Sequence, residues 1–171
     1  VVMHRLLYFA YGSNLWPPRL QARAASCIPT TRAILPGYQL RFHKLGRDGS
    51  AKCDACFTGN DAHQVEGVIY TLLAQERAAL DRAEDLGRGY DAHWLDVESE
   101  AGVVEVLTYR ARPEMVVAGL KPFSWYREYI LKGALYHHLS SGYVEQIVLQ
   151  QAVSDPDRAR VEQNHAILRC D

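Results

Sequence analysis

What the chain lacks narrows its function first. Its longest stretch free of Lys, Arg, Asp and Glu runs from Leu6 to Pro18, thirteen residues that include Gly12, Asn14, Pro17 and Pro18. Spanning a bilayer takes about 20 apolar residues. The run is apolar for only five residues before Tyr11-Gly12-Ser13-Asn14 interrupts it, which is not the form of a secretory signal. A cytoplasmic location without membrane association is therefore expected. An excess of one charge is missing as well: 19 Lys+Arg stand against 20 Asp+Glu, a net charge of −1. No bulk attraction to nucleic acid or anionic lipid follows, and no nucleic-acid partner is expected. Cysteine is scarce, with Cys27, Cys53, Cys56 and Cys170 expected as thiols in a reducing compartment.

Several chemical motifs are absent too. There is no Gly-x-Gly-x-x-Gly, no phosphate-binding loop, no His-Glu-x-x-His and no Gly-x-Ser-x-Gly. Cys53-Asp54-Ala55-Cys56 has the spacing of half a zinc site, but Cys27, Cys170 and His63 supply no second pair. The segment also reads as a strand, whereas a redox pair sits before a helix. His137 and His138 are neighbours on an expected helix and point about 100° apart. No metal and no cofactor is expected.

What is present is an ordinary globular balance, 48% hydrophobic and 23% charged over 171 residues, without repeats or linkers. That suits one domain over residues 1–171, large enough to bury a core without staples. Strands are expected at His4–Ala10, in one or two pieces between Ile28 and Leu45, at Ala51–Thr58, and at Val65–Leu73, which is apolar enough to be buried on both faces. Tyr90–Glu98 and Val103–Tyr109 alternate and form a hairpin. Helices are expected at Pro17–Ala24, Ala74–Leu86, Ser124–Leu139 and about Pro156–Leu168. Ser124 is placed as an N-cap, and Gly87 or Gly89 and Gly142 as stops. Strands with interspersed helices and antiparallel pairs argue for an α+β fold.

Two segments carry candidate chemistry. After the first strand, Tyr11-Gly12-Ser13-Asn14-Leu15 forms a small polar turn before a helix. Gly12 there is free to take a positive φ, and successive backbone N–H groups can converge on an anion. On the helix after Val65–Leu73, a step of 100° per residue puts Ala79, Leu80, Ala83 and Leu86 on the core side. Asp81 and Asp85 then point away. Glu84 lies at the edge of the apolar stripe, about 40° past Leu80, where a carboxylate can be partly buried and still reach a cavity.

The strand and turn Tyr8-Phe9-Ala10-Tyr11-Gly12-Ser13-Asn14-Leu15 resemble the signature of the gamma-glutamylcyclotransferase family. Val65-Glu66-Gly67-Val68-Ile69-Tyr70 resembles that family's strand before its acidic helix. Leu80-Asp81-x-x-Glu84 matches its Leu-Asp-x-x-Glu, and Gly89-Tyr90 matches the opening of its next strand. The likeness runs over roughly residues 5–140. Asp85 departs from it, since the family has Gly directly after its Glu.

The resemblance implies a small mixed, mainly antiparallel β-barrel with peripheral helices. It implies a small-molecule γ-glutamyl substrate whose α-amine attacks its own γ-carbonyl, expels the attached amine and closes 5-oxoproline, with no metal or cofactor. Glu84 is the implied proton-transfer residue. Tyr11, Gly12, Ser13, Asn14, Leu15 and the helix residue Tyr126 are the implied substrate-binding residues. The turn's N–H groups meet either the oxyanion or the α-carboxylate. The leaving amine stays open, and the alternatives are a cyclotransferase acting on γ-glutamyl amines or another γ-glutamyl metabolite and a non-catalytic γ-glutamyl-binding module of the same fold.

Overall fold

In the computed structural model, which describes residues 2–171, five strands close a barrel in the order β1-β5-β2-β6-β7. These are β1 (Arg5–Ala10), β2 (Ile28–Pro36), β5 (Gln64–Leu73), β6 (Tyr90–Ser99) and β7 (Gly102–Ala111). All neighbours are antiparallel except β1 and β7, whose parallel pairing at Tyr8 and Leu107 closes the ring. The region Ile28–Leu45 is two strands, because Gly37 at φ 81° reverses the chain into β3 (Tyr38–Leu45). That strand pairs with β4 (Ala51–Phe57) in a separate two-stranded ribbon. β5 is central to the barrel sheet, bonded to β1 on one side and β2 on the other, and Val65–Tyr70 are buried. This is why its sequence is a continuous apolar run and not an alternation.

The helices are peripheral: α1 (Pro17–Gln21), α2 (Arg77–Ala83), α3 (Ser124–Tyr136), α4 (Ser141–Leu149) and α5 (Arg158–Leu168). None is long and apolar enough to cross a membrane. The α3 helix is pressed against the segment after β1. A Cβ at Gly133 would come within 2.4 Å of Leu15 Cβ and 2.6 Å of the Leu15 carbonyl carbon, so only glycine permits the approach.

The structure corrects several expectations. The α2 helix ends at Ala83 rather than continuing toward Gly87, because Asp85 turns to φ 52° directly after Glu84. Ala83 is therefore exposed and Leu86 is 41% exposed, and of the expected apolar stripe only Leu80 is fully buried. The N-cap of α3 is Phe123; Ser124 lies inside the helix and its hydroxyl donates to the Val153 carbonyl. Gly142 does not stop that helix. His138 does so, in a left-handed conformation at φ 56°, and Gly142 sits in the first turn of α4. The α4 helix was not expected; Tyr143 and Ile147, four residues apart, bury its inner face.

Candidate active site

The segment after β1 is a short 3₁₀ turn, Ser13–Leu15. Its closing bonds run from Leu15 N–H to the Gly12 carbonyl at 3.0 Å and from Trp16 N–H to the Ser13 carbonyl at 3.3 Å. The N–H groups of Gly12, Ser13 and Asn14 have no acceptor among the described residues, as expected where a helical turn begins. Gly12 does not use its freedom for positive φ: its φ is −105°. A Cβ there would stand at ordinary contact distance, 3.4 Å from Cys53 Cβ and 3.7 Å from the Tyr126 hydroxyl, and would take up space in a small cavity.

That cavity, about 40 Å³, is walled by Gly12, Ser13 and Asn14 on one side and by Cys53, Glu84 and five tyrosines on the others. Leu15 is not among its walls. The Leu15 side chain is buried in the core, and its carbonyl accepts from the Tyr70 hydroxyl at 3.2 Å and pairs with His137 Nε2 at 2.9 Å. Leu15 anchors the turn rather than lining the cavity.

Glu84 caps the C-terminus of α2, so its side chain leaves the helix where the backbone reverses. Its carboxylate accepts from Asn14 Nδ2 at 3.4 Å across seventy residues of sequence, and Arg23 lies 3.6 Å from the same oxygen. Asn14 is held in turn: its amide donates to the Tyr8 hydroxyl at 3.0 Å, and its carbonyl accepts from Arg23 at 3.0 Å. The Glu84 side chain is only 16% exposed. Burial raises its pKa above the ordinary value, and the charges of Arg23, Arg19 and Lys44 pull it only partly back. Asp81 does not point away, as the helical wheel had placed it. It accepts from the Tyr109 hydroxyl at 2.6 Å and so ties α2 to the barrel.

Tyr8, Tyr11, Tyr90, Tyr109 and Tyr126 line the cavity. Tyr126, from the first turn of α3, accepts the Cys53 backbone N–H at 2.9 Å, and Tyr90 donates to the Cys53 carbonyl at 2.7 Å. Tyr11 donates to the Tyr109 carbonyl. Burial raises the pKa of all five, so each is a neutral hydroxyl at physiological pH. Among these tyrosines the family resemblance implies Tyr11 and Tyr126 as site residues. Tyr8, Tyr90 and Tyr109 fall within expected strands, and only the closed barrel shows which strand ends converge.

Cys53 and Cys56 are not a pair. Three residues apart on β4, they point to opposite faces; Cys53 is buried in the cavity wall, where desolvation raises its thiol pKa. Among the described residues, one group has metal-ligand chemistry: His43, Asp54 and Cys56, with ligand atoms within 4.8 Å of one another. It lies outside the cavity. The Asp54 carboxylate is committed there, pairing with His43 Nε2 at 2.7 Å and accepting the Ala111 N–H at 2.8 Å.

The sequence model of a family described as gamma-glutamyl cyclotransferase, AIG2-like, matches residues 8–130, a span that contains the turn, Glu84 and Tyr126. The chain belongs to this family. No curated protein matches the chain. Solved structures do. A gamma-glutamyl cyclotransferase is 21% identical with a TM-score of 0.85, over 97% of this chain and 99% of that one. YkqA from Bacillus subtilis is 24% identical with a TM-score of 0.73, over 88% of this chain and 56% of that one. A yeast gamma-glutamyl cyclotransferase specific to glutathione is 15% identical with a TM-score of 0.56, over 96% of this chain and 95% of that one. At such identities the likeness establishes the fold. Together with the family match it supports an activity of the gamma-glutamyl cyclotransferase type.

Proposed function

We propose that the protein releases 5-oxoproline from a γ-glutamyl amide or dipeptide, with Glu84 as the proton-transfer residue. The observation that carries this reading is the Glu84 carboxylate. It is largely buried, raised in pKa, and joined through Asn14 to a turn with three unpaired backbone N–H groups. A general base works best with a pKa near the operating pH, and burial moves a carboxylate that way.

The glutamyl group enters the cavity with its chain folded so that the α-nitrogen lies about 3–3.5 Å from the γ-carbon. Ionised Glu84 takes a proton from the α-ammonium. The freed amine attacks, and the new C–N bond closes the five-membered ring while the carbonyl electrons move to oxygen. As the tetrahedral centre collapses, the bond to the leaving nitrogen breaks. Glu84 delivers its proton to that nitrogen, then takes the second proton that the new ring nitrogen must shed to become a neutral lactam and passes it to the departing amine, which leaves as an ammonium while Glu84 returns to its ionised form. No water is consumed and no electron changes hands. The N–H groups of Gly12, Ser13 and Asn14 supply donors to an anionic oxygen of the glutamyl group. The hydroxyls of Tyr11 and Tyr126 bound the space in which it folds.

A non-catalytic γ-glutamyl-binding module would have no need of a buried, upshifted carboxylate beside the turn. The test is incubation with a panel of γ-glutamyl dipeptides and γ-glutamyl amines, with 5-oxoproline read by mass spectrometry. Release from at least one compound is expected; none from any, with the protein folded, overturns the proposal.

A further inference from the structure

The small cavity opens into a vestibule of about 240 Å³, with Ser13, Glu84, Tyr90 and Tyr126 in the walls of both. Five basic side chains line the vestibule against three acidic ones, although the chain as a whole carries −1. Three of the five have a carboxylate: Arg47 pairs with Asp85 at 2.8 Å, Lys52 with Asp48 at 2.8 Å, and Arg23 with Glu84 at 3.6 Å. Arg19 has none, but its guanidinium is occupied, donating to Ser13 Oγ at 2.9 Å and Asn164 Oδ1 at 3.3 Å and lying 4.3 Å over the Tyr129 ring.

Lys44 is different. The residue is 6% exposed, yet its ammonium has no hydrogen-bond acceptor and no carboxylate within 4.0 Å among the described residues. Its nearest feature is the face of Tyr90, 4.7 Å away. Burial lowers its pKa, while Glu84 and Asp85 act on it only through space. The stem of the side chain is buried while the ammonium itself opens on the vestibule, so the charge is partly desolvated and has no protein partner among the described residues, and two further features put it there. A register shift between Phe42 and Lys44 sets Lys44 opposite Lys52 across the β3–β4 ribbon, although like charges facing one another destabilise a strand pair. Gly89 also leaves the room, since a Cβ there would fall 2.8 Å from Lys44 Nζ.

We infer that the vestibule is the subsite for the leaving amine, and that Lys44 selects leaving amines bearing an anionic group, such as a carboxylate. The inference rests on the cyclotransferase reading for the word leaving; the subsite itself is testable without it. With the glutamyl group in the inner cavity, the departing nitrogen faces the vestibule, and an anion attached near it meets the one ammonium there without an acceptor.

The experiment compares γ-glutamyl-alanine with γ-glutamyl-isopropylamine, in which a methyl replaces the carboxylate. In the wild-type protein kcat/KM for the anionic compound should exceed that for the neutral one by about 10- to 100-fold, the range of one hydrogen bond to a charged group. In Lys44→Met, and in Lys44→Gln should the first fold poorly, the ratio should fall to within about threefold. The ratio separates selection from a general effect: Lys44 also lowers the pKa of Glu84 through space, and its loss on that account slows both substrates alike. Equal wild-type values, or a preference kept in a folded Lys44 variant, overturn the inference. If neither compound yields 5-oxoproline, the cyclotransferase reading fails for this pair, and calorimetric titration then reads the same ratio as affinities. A wild-type preference lost in the variant sustains the anion subsite; equal affinities overturn it.

Discussion

Glu84→Gln separates proton transfer from shape. Glutamine keeps the length and planarity of the side chain, its amide oxygen can still accept from Asn14 Nδ2, and Arg23 keeps its bond to Asn14 Oδ1 at 3.0 Å. What is lost is the ability to take a proton. Removing a positioned general base costs about 10²–10⁴ in rate, or about 3–5 kcal/mol on the barrier. Because the free N–H groups and the tyrosines that line the cavity are untouched, KM should change by less than about tenfold. The assay is steady-state release of 5-oxoproline with circular dichroism as a folding check. A folded Glu84→Gln protein with near-wild-type turnover would remove Glu84 as the base.

The same variant has a thermodynamic signature with a definite sign. Burial raises the Glu84 pKa above its ordinary 4.5, so ionising the group in the folded state costs stability. The wild-type protein loses that stability as pH rises from about 4.5 through the raised folded value. Glutamine has nothing to ionise. Thermal melts should therefore show Glu84→Gln gaining on the wild type between pH 4 and pH 8, about. For activity the direction is opposite: the base must be ionised, so kcat/KM should climb with pH along an acid limb lying above 4.5. A variant that loses ground to the wild type as pH rises would contradict the burial argument.

Asp85→Gly should leave turnover intact and keep Tm or raise it by a few degrees. It relieves a left-handed residue at φ 52°, worth about 1 kcal/mol, and gives up an ion pair to the 76% exposed Arg47, which is worth little. Gly133→Ala should lower Tm by about 3–10 °C and depress activity, because its Cβ would drive into Leu15 at 2.4 Å and push the turn out of place. Asp81→Ala should cost about 1–3 kcal/mol by leaving the buried Tyr109 hydroxyl without its acceptor at 2.6 Å, with Asp81→Asn milder. Chelation with EDTA should leave turnover unchanged, since closing the lactam needs no Lewis acid.

The strands and the turn after β1 were legible because their signals are local, whereas closure of the strands into a barrel was implied only by the family resemblance. Alternation, an apolar run on β5 and a Gly-Ser-Asn break after β1 are written within a few residues of the structure they make. The α2 terminus was not legible in the same way. Helix propensity and a glycine at position 87 extend the pattern to Leu86, but the chain reverses at Asp85, where no glycine announces the left-handed turn. The family pattern does carry that signal: a Gly after the Glu is what a left-handed position calls for. Aspartate tolerates that conformation better than most residues, and here it also pairs with Arg47. The departure at Asp85 is thus a substitution the backbone accepts, and Glu84 reaches Asn14 with it in place. The start of α4 was hidden for the converse reason, since His138 supplied the left-handed stop that Gly142 had been expected to make.

Charge was the least legible property. The basic residues of the vestibule come from α1, the segment after it, β3, the turn behind β3, and β4. No two of them form a run, and a balance of 19 against 20 conceals them. Their meeting depends on the barrel bringing Glu84 to the turn while the β3–β4 ribbon packs across the mouth. The same closure gives them their energetic meaning. On an open surface Lys44 would be a solvated lysine of no consequence. With its stem buried, its ammonium over Tyr90 and no acceptor among the described residues, it is a partly desolvated charge, and such a charge discriminates between neutral and anionic partners more strongly than a fully solvated one. The turn can be read from a motif because its residues are contiguous; the vestibule cannot, because what it presents is a balance of charge set by elements distant in sequence.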